Sequence, residues 1–250
     1  MTKSPFANEG YYSVSKIHRP HLNTGPQITP RLEALLRIVG QQGALRYDHV
    51  QRWLGRLSPE PTKMKQEAML STERTRKILR PWIDEGLFYY RTIFAGQLPW
   101  LWLSSKGIKY SGLHLRIYEP SPANLAHLYS INDIRLHLAD RRPKDIWRSE
   151  REVRAELYSI TEEAKRHMPD AELVTDKGII ALEIELTIKS QKRLHEILLD
   201  LSANTQYYTI WYFAPDQVRQ VLIEEIKKLP PKARVMYRLY DLQGMEQVVE

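Results

Sequence analysis

The run Ile179 to Thr187, IIALEIELT, places the tightest limit on what this chain can fold into. It is strongly β-forming, follows the hairpin-turn signal Asp176-Lys177-Gly178, and carries acids at positions 183 and 185. Residues two apart in a strand share a face, so Glu183 and Glu185 point one way while Leu182, Ile184 and Leu186 point the other. Two like charges amid so much apolar surface cost stability if they are buried without compensation. The preceding run, Met168 to Leu173, reads as a strand beginning with an acid, and Asp170 reaches the same face across the hairpin. Three converging carboxylates make a hard-oxygen site suited to Mg²⁺ or Mn²⁺. Such an ion activates water and stabilises charge on a phosphate during hydrolysis. Lys189, just past the strand, is placed to contact phosphate or the attacking water. The alternative is a half-exposed edge strand with its polar face in water.

Around this strand the second half alternates helix and strand. ANLAHLYSINDIRLHLAD is an amphipathic helix with Leu125, Leu128, Ile131, Ile134, Leu136 and Leu138 as its apolar positions. IWRSEREV and a polar helical stretch follow. SQKRLHEILLDL then reads as a helix, QYYTIWYFA as a buried strand, Pro215 to Lys228 as a helix and ARVMYRLYDL as a last strand. The expected sum is a mixed sheet flanked by helices.

The first half has another rhythm. Thr29 caps a helix with Pro30 in its first turn, Leu32, Leu35, Leu36 and Val39 form one face, and Gly40 and Gly43 end it. A short helix runs from Tyr47 to about Leu54. After the polar stretch Ser58 to Lys65, Ser71-Thr72-Glu73 opens a third helix whose N-terminal half is crowded with Arg74, Arg76, Lys77 and Arg80. Pro81 inside it removes a backbone hydrogen bond and is expected to kink it. LFYYRTIF and LPWLWLSS then form a hairpin around Ala95-Gly96-Gln97, with Trp100 and Trp102 packed on the helices rather than stacked on bases. Helix, helix, basic helix and hairpin is the order of a winged helix-turn-helix, whose third helix enters the major groove. Arg91, Lys106 and Lys109 are the expected phosphate contacts of the wing.

Charge agrees with this division. The chain has 250 residues and a formal net charge of +7. Residues 1–120 carry 18 Lys and Arg against 9 Asp and Glu, and the remaining 130 carry 19 against 21, so the positive excess belongs to the first half. A basic surface attracts polyanions. The absence of Cys excludes disulfide scaffolds, Cys-ligated zinc, iron–sulfur clusters and a thiol nucleophile. No signal peptide is evident and no apolar run approaches membrane-spanning length, which leads to the expectation of a soluble cytoplasmic protein. With only 11 Gly and no phosphate loop, no GxSxG and no dinucleotide fingerprint, ATPase, hydrolase-triad and redox functions are disfavoured.

The carboxylate order resembles that of the PD-(D/E)XK nuclease superfamily, which places an acid on its second strand and Glu-x-Lys on its third. Pro169-Asp170 matches the first part, and Glu183-Ile184-Glu185 the second, except that Glu185 stands where Lys is expected. Glu150 matches the additional acid that many members carry. From about Pro30 to Tyr240 the chain also resembles the replication-relaxation family of plasmids and other mobile elements. That resemblance rests on the winged-helix order, Ile131–Leu138, Trp147–Arg151, His167–Ala171 and Glu183–Ser190. It implies double-stranded DNA binding tied to replication control or element maintenance.

The expectation is therefore an α/β chain, α+β overall. It has an arm over 1–28, a winged helix-turn-helix over 29–119 and a nuclease-like domain over 120–250. An active enzyme would be a Mg²⁺- or Mn²⁺-dependent endodeoxyribonuclease with Asp170, Glu183 and Glu185 on the metal and Lys189 and Glu150 assisting. A non-catalytic regulator or assembly subunit, whose second domain forms a homodimer or recruits other mobile-element proteins, is the other reading. His127 and His137 read as a packed or surface pair rather than ligands, and His167 suits either a site or a loop. Asn132-Asp133, unusual near a helix centre, suggests a functional polar face or a contact with the first domain.

Overall fold

The computed structural model describes residues 28–58, 69–157, 167–243 and 246–247. The expected arm, apart from Ile28, and most of the polar stretch after Ser58 lie outside them. The chain is a mixed α/β protein, and the described residues form two sheets, one of three strands and one of six.

Helix α1 (Pro30–Gln42) starts as its sequence dictates, with the Leu32 amide donating to Thr29 Oγ1 at 3.2 Å. It ends at Gly43, whose φ of +88° favours glycine, and not at Gly40, which stays helical. The reason for Gly40 is space, because a Cβ there would lie 2.6 Å from Leu113 Cδ1. Next comes β1 (Ala44–Arg46), which the sequence reading did not include, then α2 (Tyr47–Arg56). Ser71 caps α3 (Thr72–Asp84) by accepting from the Arg74 amide at 3.3 Å, and the helix continues past Pro81. Strands β2 (Phe88–Arg91) and β3 (Trp100–Leu103) form the expected hairpin, and β1 adds to β3 to give the antiparallel order β1-β3-β2. A further helix, α4 (Ser105–Ser111), follows directly. Lys106 and Lys109 therefore sit on this helix and not on a wing, because Ser104 caps it by accepting from the Gly107 amide at 3.0 Å.

Both faces of the small sheet are covered. Leu45, Phe88, Leu101 and Leu103 pack with the α1–α3 side chains, whereas Ala44, Trp100 and Trp102 pack against Leu125 and Leu128 of α5 (Leu125–Arg141). The two tryptophans are thus core residues, as expected.

The second half builds β4 (Ile146–Ser149), α6 (Glu150–Leu157), β5 (Ala171–Thr175), β6 (Gly178–Ile184), α7 (Gln191–Ala203), β7 (Tyr207–Phe213), α8 (Asp216–Ile226), α9 (Pro231–Arg234), β8 (Tyr237–Tyr240) and β9 (Glu246–Gln247). Its sheet order is β4 to β9 in sequence; β4, β5 and β6 are antiparallel neighbours and β6, β7 and β8 parallel ones. The expected last strand is shorter than the run ARVMYRLYDL, since Pro231 starts a helical turn over its first residues. One face of this sheet packs under α7 and α8, and the other packs against Ile134 and Leu138 of α5.

α5 therefore touches both sheets, which explains its apolar residues around more than one face. Where it meets α1 the contact is polar and buried. Asn132, fully buried, donates to the Ala44 carbonyl at 3.0 Å and accepts from Gln42 Nε2 at 3.0 Å. Gln42 in turn accepts from Trp147 Nε1 at 3.0 Å, and Arg135 donates to Gln41 Oε1. Asp133 takes Arg52 at 2.6 Å and His49 at 3.3 Å. The odd Asn132-Asp133 pair is thus a contact with the first half. Asn132→Ala leaves two buried partners unsatisfied at about 1–3 kcal/mol each, so unfolding stability should fall by about 2–6 kcal/mol. Guanidinium denaturation followed by tryptophan fluorescence checks this; a loss below about 1 kcal/mol would remove the pair from the forces joining the halves.

Candidate functional site

Strand register brings the first two acids together. Ala171 of β5 lies opposite Leu182 of β6, so Asp170, one residue earlier, stands beside Glu183. Asp170 is held from three sides: its Oδ2 accepts from the Ile184 amide at 2.7 Å, its Oδ1 pairs with His127 Nε2 at 2.9 Å, and its carbonyl accepts from the Glu150 amide at 3.1 Å. Glu183 is buried, and its Oε1 pairs with His167 Nε2 at 2.8 Å. His167 is fixed in turn, its amide donating to Asp200 Oδ2 at 2.6 Å. Glu185 lies one residue past the end of β6, also buried, with its carboxylate ion-paired to Lys189. Glu150 opens α6 and pairs with Arg154.

Each of the three acids thus has its own basic partner, His127, His167 or Lys189. Asp170 and Glu183 are neighbours in space, and Glu185 joins them through Lys189, which feels the charges of Glu183 and Asp170. Beside them lies a cleft of about 520 Å³ whose lining includes Glu150, Arg154, His167, Asp170, Arg193 and Asp200. Among the described residues, no group of three or more His, Asp or Glu is placed to hold a metal ion.

The electrostatics follow from burial. Burial pushes the Glu183 carboxyl up, the His167 hydrogen bond pulls it down and the Asp170 charge pushes it up again, leaving it at about 7. For both histidines burial disfavours the cation, but the hydrogen bond and charge of the paired acid outweigh it, so both are raised. Burial lowers Lys189 against the opposing pull of Glu183 and Asp170. The phenol of Tyr212, the residue aligned with Glu183 on β7, is buried with no hydrogen-bond partner among the described residues, and it is raised by burial and by the Glu183 charge.

His127 was missed at the sequence level because its partner is 43 positions away and α5 reaches Asp170 only through tertiary packing. His167 was half visible from its position before Asp170. A third acid of this strand pair, Glu172, is equally buried but serves the sheet, accepting from Tyr207 Oη at 2.9 Å and pairing with Arg148 at 3.0 Å.

The expected basic surface is partly realised. Arg74, Arg76, Lys77 and Arg80 are exposed on α3, while Thr75, Leu79 and Trp82 face inward. Arg80 pairs loosely with Asp84 at 3.6 Å, and Arg76 lies close enough to the Tyr47 and Tyr90 phenols to oppose the upward push of their burial. Arg91 is exposed at the end of β2 and Lys109 is exposed on α4. Lys106 is tied to the end of α3, donating to the Glu85 carbonyl at 2.8 Å and its carboxylate at 3.0 Å. Among the described residues no helix is long and apolar enough to cross a membrane.

No protein-family model, curated protein or solved structure matches this chain.

Glu183 gives a pH prediction. Its folded value of about 7 lies above the ordinary 4.5, so the folded chain holds a proton there that the unfolded chain has released. The resulting stability is complete below pH 4.5 and is lost as pH rises through about 7. Glu183→Gln should flatten that decline and be the more stable form at pH 8, as read by denaturation at a series of pH values. An unchanged slope would show that His167 compensates the buried charge fully.

Proposed function

We propose that this is a double-stranded-DNA-binding protein of the mobile-element kind, in which a winged helix-turn-helix locates the duplex and a nuclease-like domain meets the backbone. The single observation that carries the reading is α3, with four exposed cations on one helix packed beside the edge strand of the β1-β3-β2 sheet. Such a helix is narrow enough for the major groove, and its cations replace counterions along the phosphates. The order α1, β1, α2, α3, β2, β3 is that of a winged helix.

For the second domain, support comes from the pairing of Asp170 and Glu183 on adjacent strands beside an open cleft. The donor set fits a hard divalent ion in chemistry: two carboxylates with an unpartnered Tyr212 hydroxyl nearby. Asp170 and Glu183 would hold Mg²⁺ or Mn²⁺ on release of their histidines. The ion would supply Lewis acidity and an activated water for phosphodiester hydrolysis. Lys189 stands in for the lysine that Glu185 displaces, and Glu150 and Arg154 border the substrate side of the cleft.

A second reading has an observation of its own. Every one of the three acids is already paired with a basic side chain of the protein, as in a nuclease-like domain that has become a scaffold for a cytoplasmic regulator, a homodimer or a larger assembly.

Two experiments test the pair. Supercoiled plasmid incubated with Mn²⁺, Mg²⁺ or EDTA should be nicked or linearised only with metal, and not by Asp170→Ala; binding without cleavage would favour the regulator. Replacing Arg74, Arg76, Lys77 and Arg80 together by Ala should lower the slope of log affinity against log salt by about 3–4. An unchanged slope would remove α3 from the interface.

A further inference from the structure

The hairpin between β2 and β3 exposes more apolar surface than a solvated turn needs. Tyr89 is 49% and Tyr90 43% exposed on β2, and Phe94 is 43% and Leu98 44% exposed in the short connection that follows. Its tip is the turn Phe94-Ala95-Gly96-Gln97, closed by the Gln97 amide on the Phe94 carbonyl at 3.2 Å, with Gly96 at φ +76°. A Cβ placed on Gly96 would meet nothing within 4 Å, so the tip projects into open space. Phe94 and Leu98 flank it. Ile93, by contrast, packs onto the core that anchors the base of the hairpin beneath α5.

The surroundings identify what such a tip meets. Arg91 ends the strand leading into it, and β2 itself lies against α3 with its exposed Arg74, Arg76, Lys77 and Arg80. An apolar tip rimmed by cations and anchored by buried tryptophans suits a polyanion with an apolar interior, which is the chemistry of stacked base pairs beneath a phosphate backbone. Proteins that bind the minor groove use Phe and Leu in this way, as wedges that part a base step and bend the duplex.

Resting on the DNA-binding reading above, we propose that Phe94 and Leu98 form an apolar wedge that enters duplex DNA at a base step beside the site covered by α3. Insertion bends the DNA. Tyr90, edge-on to Tyr47 with ring centroids 5.9 Å apart, is held on the strand that leads into the wedge. A wedge reads deformability rather than base edges, so the preferred sites contain flexible pyrimidine–purine steps.

The test uses the full chain and a duplex of about 30 base pairs carrying a donor and an acceptor dye at its ends, titrated at several salt concentrations. Wild type should bind and bring the ends closer. Phe94→Ser with Leu98→Ser should bind about tenfold more weakly, leave the ends apart and keep the wild-type salt slope, since no phosphate contact is lost. Phe94→Trp should retain both binding and bending, and a native circular dichroism spectrum of the double-serine form would exclude misfolding as the cause of its loss. Equal binding and bending by the double-serine form overturns the wedge, as does wild-type binding with no change in end-to-end distance. A smaller salt slope in the double-serine form assigns the hairpin to phosphate and also overturns it. Failure of wild type to bind any duplex, including the case where it binds anionic vesicles instead, overturns the wedge together with the DNA reading.

Discussion

The structure depends most on the buried polar seam between α5 and the end of α1. Gln41 and Gln42 are turned inward at a helix terminus, where water would normally satisfy them, and Asn132 and Arg135 meet them there. Buried amides are costly when unpaired, so this seam tolerates only the arrangement in which every partner is in register. Apolar contacts alone would let a helix slide on either sheet. The seam fixes α5 along its axis, and with it the distance between the basic helix α3 and the acidic cluster at Asp170.

That fixed axis has a chemical consequence at its other end. His127 lies near the start of α5 and reaches Asp170, so the element that joins the two halves also holds an acid that lines the cleft. Around the cleft the fold solves the same problem three times. Carboxylates taken out of water need a cation or a proton, and here an imidazole, a second imidazole and an ammonium supply it, on Asp170, Glu183 and Glu185 respectively. Glu183, the most enclosed, meets the need partly by retaining its proton to higher pH. A divalent ion would serve the same acids by another route.

Local signals in the sequence located most elements well. Thr29, Ser71 and Gly43 mark helix ends through hydrogen bonds or a backbone angle that involve only near neighbours. The alternating apolar pattern of β6 and the turn before it identify the central hairpin. The misses share a cause. β1 is three residues long and exists because β3 is there to pair with it. Gly40 resembles a terminator until Leu113 is brought against it. Lys106 and Lys109 look like wing residues until the Ser104 cap turns the chain into α4.

What the sequence determined by itself was composition-level and short-range: two regions of different charge, the helical and strand periodicities, and the pair of acids two apart at 183 and 185. These follow from side-chain spacing along one backbone, which folding does not alter. The tertiary structure alone decided that α5 belongs to both cores, that His127 and His167 sit on the acids, and that Lys106 faces Glu85. Each of these joins residues 16 to 43 positions apart or spans two sheets. Such pairings have no local signature, because they arise only when packing removes water from between groups that the chain keeps far apart.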